Sequence, residues 1–245
     1  MFSACSGEEQ PIQSGQDKEN TEPSVVSDLL CEEVYVEETE GLKPYIVAST
    51  DYNGTTLLLR KYVLNEQRRM NDHYSSYENC EMDKFLNTEY YDSFPEKTKE
   101  IILETEIESC QRDHMWASRP LKSNLIKRKI FLLSGTETNN DDIVVAPTEG
   151  KVLDYFNVNR GEYFREHGHY KYLTYTEGGT AQSWWTRTPC TSENILFYYF
   201  DFEDGSMGIS SACYESSVRP AFCISNDTPI EKTDISGESV YVIKY

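Results

Sequence analysis

His167 and His169 stand two apart in the segment YFREHGHYKY, Tyr163–Tyr172. On a strand such a pair shares one face and can ligate a metal ion. No third ligand lies at local spacing, and the remaining histidines, His73 and His114, are distant in sequence. The pair is a weak metal candidate, and the expectation is no metal and no cofactor. The acidic run ETNNDD, Glu137–Asp142, offers oxygen ligands for calcium. It lacks the glycine and closing glutamate of the helix-loop-helix site and reads as a solvated turn. The seven cysteines, Cys5, Cys31, Cys80, Cys110, Cys190, Cys213 and Cys223, contain no Cys-x-x-Cys pair, which argues against structural zinc. Cys190, Cys213 and Cys223 lie together in the β-rich end, where one disulfide or free buried thiols are equally natural. No local motif sets a serine or cysteine beside a histidine base. These residue types point to binding rather than to catalysis.

The stretch SWWTRTP, Ser183–Pro189, is the place to look for binding. Neighbouring side chains on a strand point to opposite faces. Trp184 is therefore expected in the core and Trp185 outward. Arg187, two residues on, shares the face of Trp185. The pair would face the region between Asp154 and Gly179, where a guanidinium can hold loop carbonyls or a ligand's acid group. Tyr170 in that region and Arg219, before Pro220, complete the candidate ligand-binding set Trp185, Arg187, Tyr170 and Arg219. For both arginines the competing reading is structural, because irregular backbone carries many carbonyls that need donors.

The elements that must position these residues are legible in part. Pro44–Thr50 and Thr55–Leu64 are β-rich and flank Asn53-Gly54, a pair suited to positive φ, so they predict a hairpin. Met82, Phe85 and Leu86 recur at helical spacing, and Pro95-Glu96 suits a helix start. Two helices follow, over about 78–87 and 95–103. Lys129–Glu137 reads as a buried strand running into a turn. Ile195–Phe202 and Ser206–Ala212 flank Asp204-Gly205 and predict a second hairpin. The closing VYVIKY resembles the first strand in pattern, which sets the two near each other.

The formal net charge is -19, a field that repels phosphate backbones and excludes nucleic acid as a partner. No run of eighteen apolar residues exists, so a membrane is met only through a lipid anchor. Such an anchor is expected at Cys5. Phe2-Ser3-Ala4-Cys5 looks like the end of a bacterial lipoprotein signal whose charged and apolar parts are trimmed away. From Ser6 to about Leu42 the chain is rich in Gly, Ser, Gln, Pro and Glu, which reads as a solvated tether. Residues 1–42 are thus assigned to lipobox remnant and tether, and 43–245 to one domain.

Four segments stand in order: MDKFLNTEYYDSF with KTKEIIL, then KIFLLSGTE, SWWTRTP and SSVRPAFCI. Together they resemble a bacterial domain-of-unknown-function family with an L-N helix, an F-L-L-S strand, a W-W-L-R-S-P segment and a closing V-R-P-A strand. The resemblance covers about Pro44 to Ile224. The last two motifs are also similar to those of C-type-lectin-like domains in the broad sense, which include the formylglycine-generating enzymes. That likeness implies an α+β, C-type-lectin-like fold with two helices, a small twisted, mostly antiparallel sheet and long loops. The Glu-Pro-Asn and Trp-Asn-Asp segments of calcium-dependent lectins are missing from the folded part. So is the close cysteine pair of the formylglycine-generating enzymes. Neither chemistry carries over. The expectation is a non-enzymatic lipoprotein on the extracellular face of the cell membrane, binding a glycan or protein ligand at the envelope. The alternative is an enzyme, either a distant relative of the formylglycine-generating group or a metal-dependent hydrolase using His167 and His169.

Overall fold

A computed structural model describes residues 22–73, 76–111, 122–139, 149–158, 171–190 and 195–245. Cys5, His167, His169 and Tyr170 lie outside the described residues. The strands, in chain order, begin with β1 (Glu33–Glu38), β2 (Gly41–Tyr52), β3 (Thr55–Arg60) and β4 (Gln67–Arg69). The helices α1 (Glu81–Phe85) and α2 (Glu96–Ile101) follow. Next come β5 (Thr105–Gln111), β6 (Lys122–Arg128), β7 (Ile130–Leu132), β8 (Thr174–Tyr175), β9 (Ala181–Gln182) and β10 (Trp184–Pro189). The chain closes with β11 (Leu196–Phe200), β12 (Met207–Ser211), β13 (Glu215–Ser217), β14 (Pro220–Ile224), β15 (Ile230–Ile235) and β16 (Glu238–Ile243).

The fold is mostly β, which overturns the expected α+β, C-type-lectin-like fold with two helices. Among the described residues 47% lie in strands and 13% in helices, and only one helical run, α1 with the π-helical turn that continues it, reaches seven residues. A seven-stranded sheet runs β15-β16-β1-β2-β3-β14-β7, and a five-stranded sheet runs β12-β11-β10-β13-β4. Two small hairpins, β5-β6 and β8-β9, complete it. The reason lies in the burial pattern. β14 is buried at all five positions and β10 at all six, so both carry continuous apolar and polar runs that alternation rules do not flag. The second expected helix is a single short one, because Ile102 turns extended after six helical residues.

The N-terminal boundary also moves. A 3₁₀ turn at Val26–Leu29 and strand β1 belong to the fold, with Val26, Val34 and Val36 fully buried. β1 pairs antiparallel with β2 and parallel with β16, so it stands between the first and last strands expected to be neighbours. The residues from Ser24 onward therefore belong to the fold rather than to the tether expected over 1–42. Within the Glu-rich stretch, the segment DLLCEEVYV leaves a short strand at the domain edge open from sequence, and Val34 and Val36 there alternate with Glu33, Tyr35 and Glu37.

The hairpin turns follow the sequence. Asn53 (φ 53°) and Gly54 (φ 80°) are both left-handed, as a tight turn between β2 and β3 requires. Gly205 (φ 71°) serves the β11–β12 connection.

The helical segment has one further task. After α1 the chain passes through a π-helical turn, Leu86–Tyr90, that carries Asn87 to the free edge of β7. Asn87 Oδ1 accepts from the backbone N–H of Lys129 (3.1 Å) and Ile130 (3.2 Å), and its amide donates to the Ile130 carbonyl (2.9 Å). One side chain thus satisfies a sheet edge in place of a neighbouring strand. One contiguous apolar cluster, from Val26 to Ile243, spans both large sheets.

Candidate functional site

The end of β10 and the turn after β7 meet at a buried polar hub. Arg187 and Glu137 are both fully buried. The guanidinium donates to both carboxylate oxygens, at 2.6 and 2.7 Å. Two more of its donors go to the Leu132 carbonyl (2.8 Å) and the Glu108 carbonyl (2.9 Å). Glu137 also accepts from Tyr52 Oη (2.6 Å) and the Ser134 N–H (2.9 Å). In return the Glu137 N–H donates to Ser134 Oγ (3.0 Å). Four of the five guanidinium donors and both carboxylate oxygens thus have partners, the condition under which a buried ion pair is tolerated.

A second carboxylate lies beside it. Glu149 accepts from the Cys110 N–H (2.6 Å) and from Thr188 Oγ1. Burial raises its pKa, against Arg187, the Thr188 hydroxyl and the Cys110 N–H, which favour the anion. Glu149 thus joins three chain segments through one side chain.

The two tryptophans do divide between faces, but neither is outward. Trp184 stacks on Phe200 (4.6 Å) and donates from Nε1 to the Tyr172 carbonyl (2.7 Å). Phe200 stacks on Tyr172 (4.9 Å), and Tyr172 on Phe156 (5.5 Å). Trp185 meets Tyr199 edge-on (6.1 Å) and donates to the Arg68 carbonyl (3.0 Å). Both rings are 0% exposed, because both faces of the five-stranded sheet are covered. The expected outward pair Trp185 and Arg187 is thus corrected: both are interior, and it is Trp184 that faces the loop side. Arg219 is buried as well and lies over the Trp184 ring, 5.1 Å from its centroid. Trp185, Arg187 and Arg219, the described members of the ligand set read from the sequence, supply framework, not an open surface. The six described cysteines are all free thiols; Cys213 is exposed after β12 and Cys223 is buried in β14. Among the described residues no group of three or more metal-ligating side chains can hold an ion.

The open surface carries clefts elsewhere. One of about 340 Å³ lies beside β4 and is lined by Arg68, Arg69, Glu66, Glu81 and Cys213 among others. Its charges are largely paired, Arg69 with Glu81 (2.7 Å) and Arg68 with Glu66 (3.0 Å). Another, of about 300 Å³, opens between the β2–β3 turn, the β5–β6 hairpin and Gly150–Asp154. Asp51, Glu106, Glu108 and Asp154 line it against a single base, Lys151. Leu125 and Val152 add apolar wall, and Leu125 is 66% exposed. The only described salt bridge of these acids is Glu106 with Lys127, at 3.9 Å. Four lining carboxylates against one lining base, beside apolar surface, make it the candidate site. Sequence reading missed it, since its acids are scattered over three segments.

The hub forms the rear wall of this cleft. Tyr52 reaches from the cleft to Glu137, the Gly150 N–H donates to Glu108 (3.0 Å), and Ser49 donates to Asp154 (2.6 Å). The turn is tied to the hairpin by Asn53 Nδ2 on the Glu106 carbonyl (2.8 Å). Gly150 has φ 86°, and a Cβ there would meet Glu137 Oε1 at 2.8 Å, so only glycine fits.

Residues 53–226 match the family described as Domain of unknown function (DUF6273). No curated protein and no solved structure matches the chain.

Two outcomes follow from this geometry. Trp184→Ala and Trp185→Ala should each lower stability by about 3–5 kcal/mol in denaturant unfolding, as for large buried aromatics. A loss confined to Trp184 would restore Trp185 to the surface. Glu149 is the second case. Its folded pKa is raised above the unfolded value, so the folded state holds the proton through the interval between the two. Stability should fall as pH rises through that interval and stay lost above it. Glu149→Gln keeps the shape without the charge. It should exceed wild type in stability at alkaline pH, with the gap closing as pH falls toward the ordinary glutamate value. Parallel stability profiles for the two proteins would refute the assignment.

Proposed function

The chain belongs to the DUF6273 family, and we propose that it is a binding domain, displayed on the outer face of the cell membrane, that captures a basic peptide segment in the acidic cleft. The observation that carries this reading is the cleft itself. Four carboxylates and exposed Leu125 and Val152 share one opening of about 300 Å³. A lysine or arginine side chain matches that surface, with an aliphatic stem for the apolar wall and a charged head for the acids. The net charge of -19 draws such a partner toward the domain before contact.

Display at the envelope rests on Ala4-Cys5 and the polar residues after it. A thioether-linked lipid at Cys5 would hold the domain at the membrane, and residues 6–21 would set its distance. The intact protein from its own cells should enter the detergent phase on phase partition, and Cys5→Ser should stay in the aqueous phase. Wild type found in the aqueous phase would rule the anchor out.

The cleft is tested by fluorescence anisotropy with a labelled Lys/Leu pentapeptide and a Glu/Leu control. The basic peptide should bind, the acidic one should not, and about 0.5 M salt should weaken the complex through screening. Glu106→Gln combined with Asp154→Asn should cost at least about tenfold in affinity, near 1.4 kcal/mol. Affinity unchanged by the double substitution would place the peptide elsewhere.

A further inference from the structure

Arg219 is handled unlike every other buried base. Four lysine or arginine side chains are buried among the described residues: Lys43, Arg60, Arg187 and Arg219. Three have a carboxylate at close range. Lys43 meets Glu177 at 2.7 Å, Arg60 meets Glu38 at 2.8 Å and Arg187 meets Glu137 at 2.6 Å. Arg219 has no described ion pair. Its Nε donates to the Arg60 carbonyl (2.9 Å), and its Nη1 is buried without any partner. A guanidinium carries five donors. Stranding one in the interior costs free energy, and so does burying a cation with no counter-charge.

Its neighbours sharpen the point. The guanidinium lies over the Trp184 ring at 5.1 Å, and the ring's quadrupole offsets part of the penalty. It cannot supply an acceptor for Nη1 in the manner of a carboxylate. The one titratable neighbour felt by Arg219 is the Tyr155 phenol, a donor rather than an anion, and burial lowers the Arg219 pKa to about 10. Tyr155 is half-buried against Phe156 (4.9 Å), and Lys171 stands over its ring at 4.7 Å.

We propose that Arg219 is the core of an internal binding site for a small monovalent anion, a halide or a carboxylate group, seated at Nη1 between the Trp184 ring and Tyr155. The anion supplies the acceptor and the counter-charge together. The site shares no residue with the acidic cleft, which takes the opposite charge.

The test is thermal unfolding of the full chain in sodium bromide and in sodium formate, each against sodium gluconate at equal ionic strength. A crystal grown in bromide adds anomalous scattering. Bromide or formate should raise Tm by about 5–10 °C at a concentration near a hundred times Kd, because only the folded state binds it. The rise should vanish in Arg219→Met. Protection by bromide with an anomalous peak at Nη1 identifies a halide site. Protection by formate alone identifies a carboxylate site. Equal Tm in all three salts, with water at Nη1 and no anomalous peak, overturns the proposal. Protection that survives in Arg219→Met overturns it too. If Arg219→Met does not fold, the density at Nη1 in the wild-type crystal decides alone.

Discussion

The bidentate pair of Arg187 and Glu137 is the constraint from which the rest of the interior follows. Both side chains are fully buried, so each would be severely penalised alone. Everything within reach is arranged to satisfy them. Tyr52 is sent inward from β2, the Ser134–Glu137 turn closes on itself, and the backbones of Leu132 and Glu108 present their carbonyls. A hydrophobic replacement of similar volume is often as stable as a buried ion pair. What the pair adds here is direction. An arginine fork accepts only acceptors placed at fixed angles, so it fixes how β10, β7 and β5 sit against one another.

Local chemistry made some of this readable. Asn53-Gly54 announces its turn because two consecutive positive φ values admit few other residues. The structural alternative for Arg187, a guanidinium serving irregular backbone, holds in detail: two of its partners are carbonyls. Other features were not readable, for physical reasons. Alternation correctly sends Trp184 and Trp185 to opposite faces, yet it says nothing about what covers each face. Both faces are covered, so the division does not become a division between core and solvent. Strand β1 looks like linker because three of its six residues are glutamates, although Val34 and Val36 alone suffice to hold it between β2 and β16. The role of Asn87 depends on a π-helical turn, a feature with no sequence period of its own. The acidic cleft draws on residues from 49 to 154, a juxtaposition only tertiary structure creates.

Charge is distributed by the same logic. Paired acids and bases occupy the interior and the cleft beside β4. Acids outnumber bases where β2–β3, β5–β6 and Gly150–Asp154 converge, four to one among the lining residues. Two of those carboxylates also hold the segments together, Glu108 by accepting from the Gly150 N–H and Asp154 by accepting from Ser49. The one buried base without an acid among the described residues, Arg219, lies over Trp184 at one end of the aromatic stack that runs from Phe156 through Tyr172 and Phe200 to Trp184.

The chain between Glu149 and Asp154 links interior and surface most directly. Glu149 turns its side chain into the hub, where it accepts from Cys110 and Thr188. The next residue, Gly150, turns its N–H to Glu108 at the cleft and lies too close to Glu137 for any side chain. Leu153 then donates to the Glu137 carbonyl, and Asp154 meets Ser49 at the cleft wall. A shift of the backbone at Glu149 is therefore transmitted within one residue to the acids that line the opening. Packed interiors do not deform smoothly, so the hub holds the cleft acids in a fixed arrangement. The geometry of the site is a property of its buried wall as much as of the residues that face solvent.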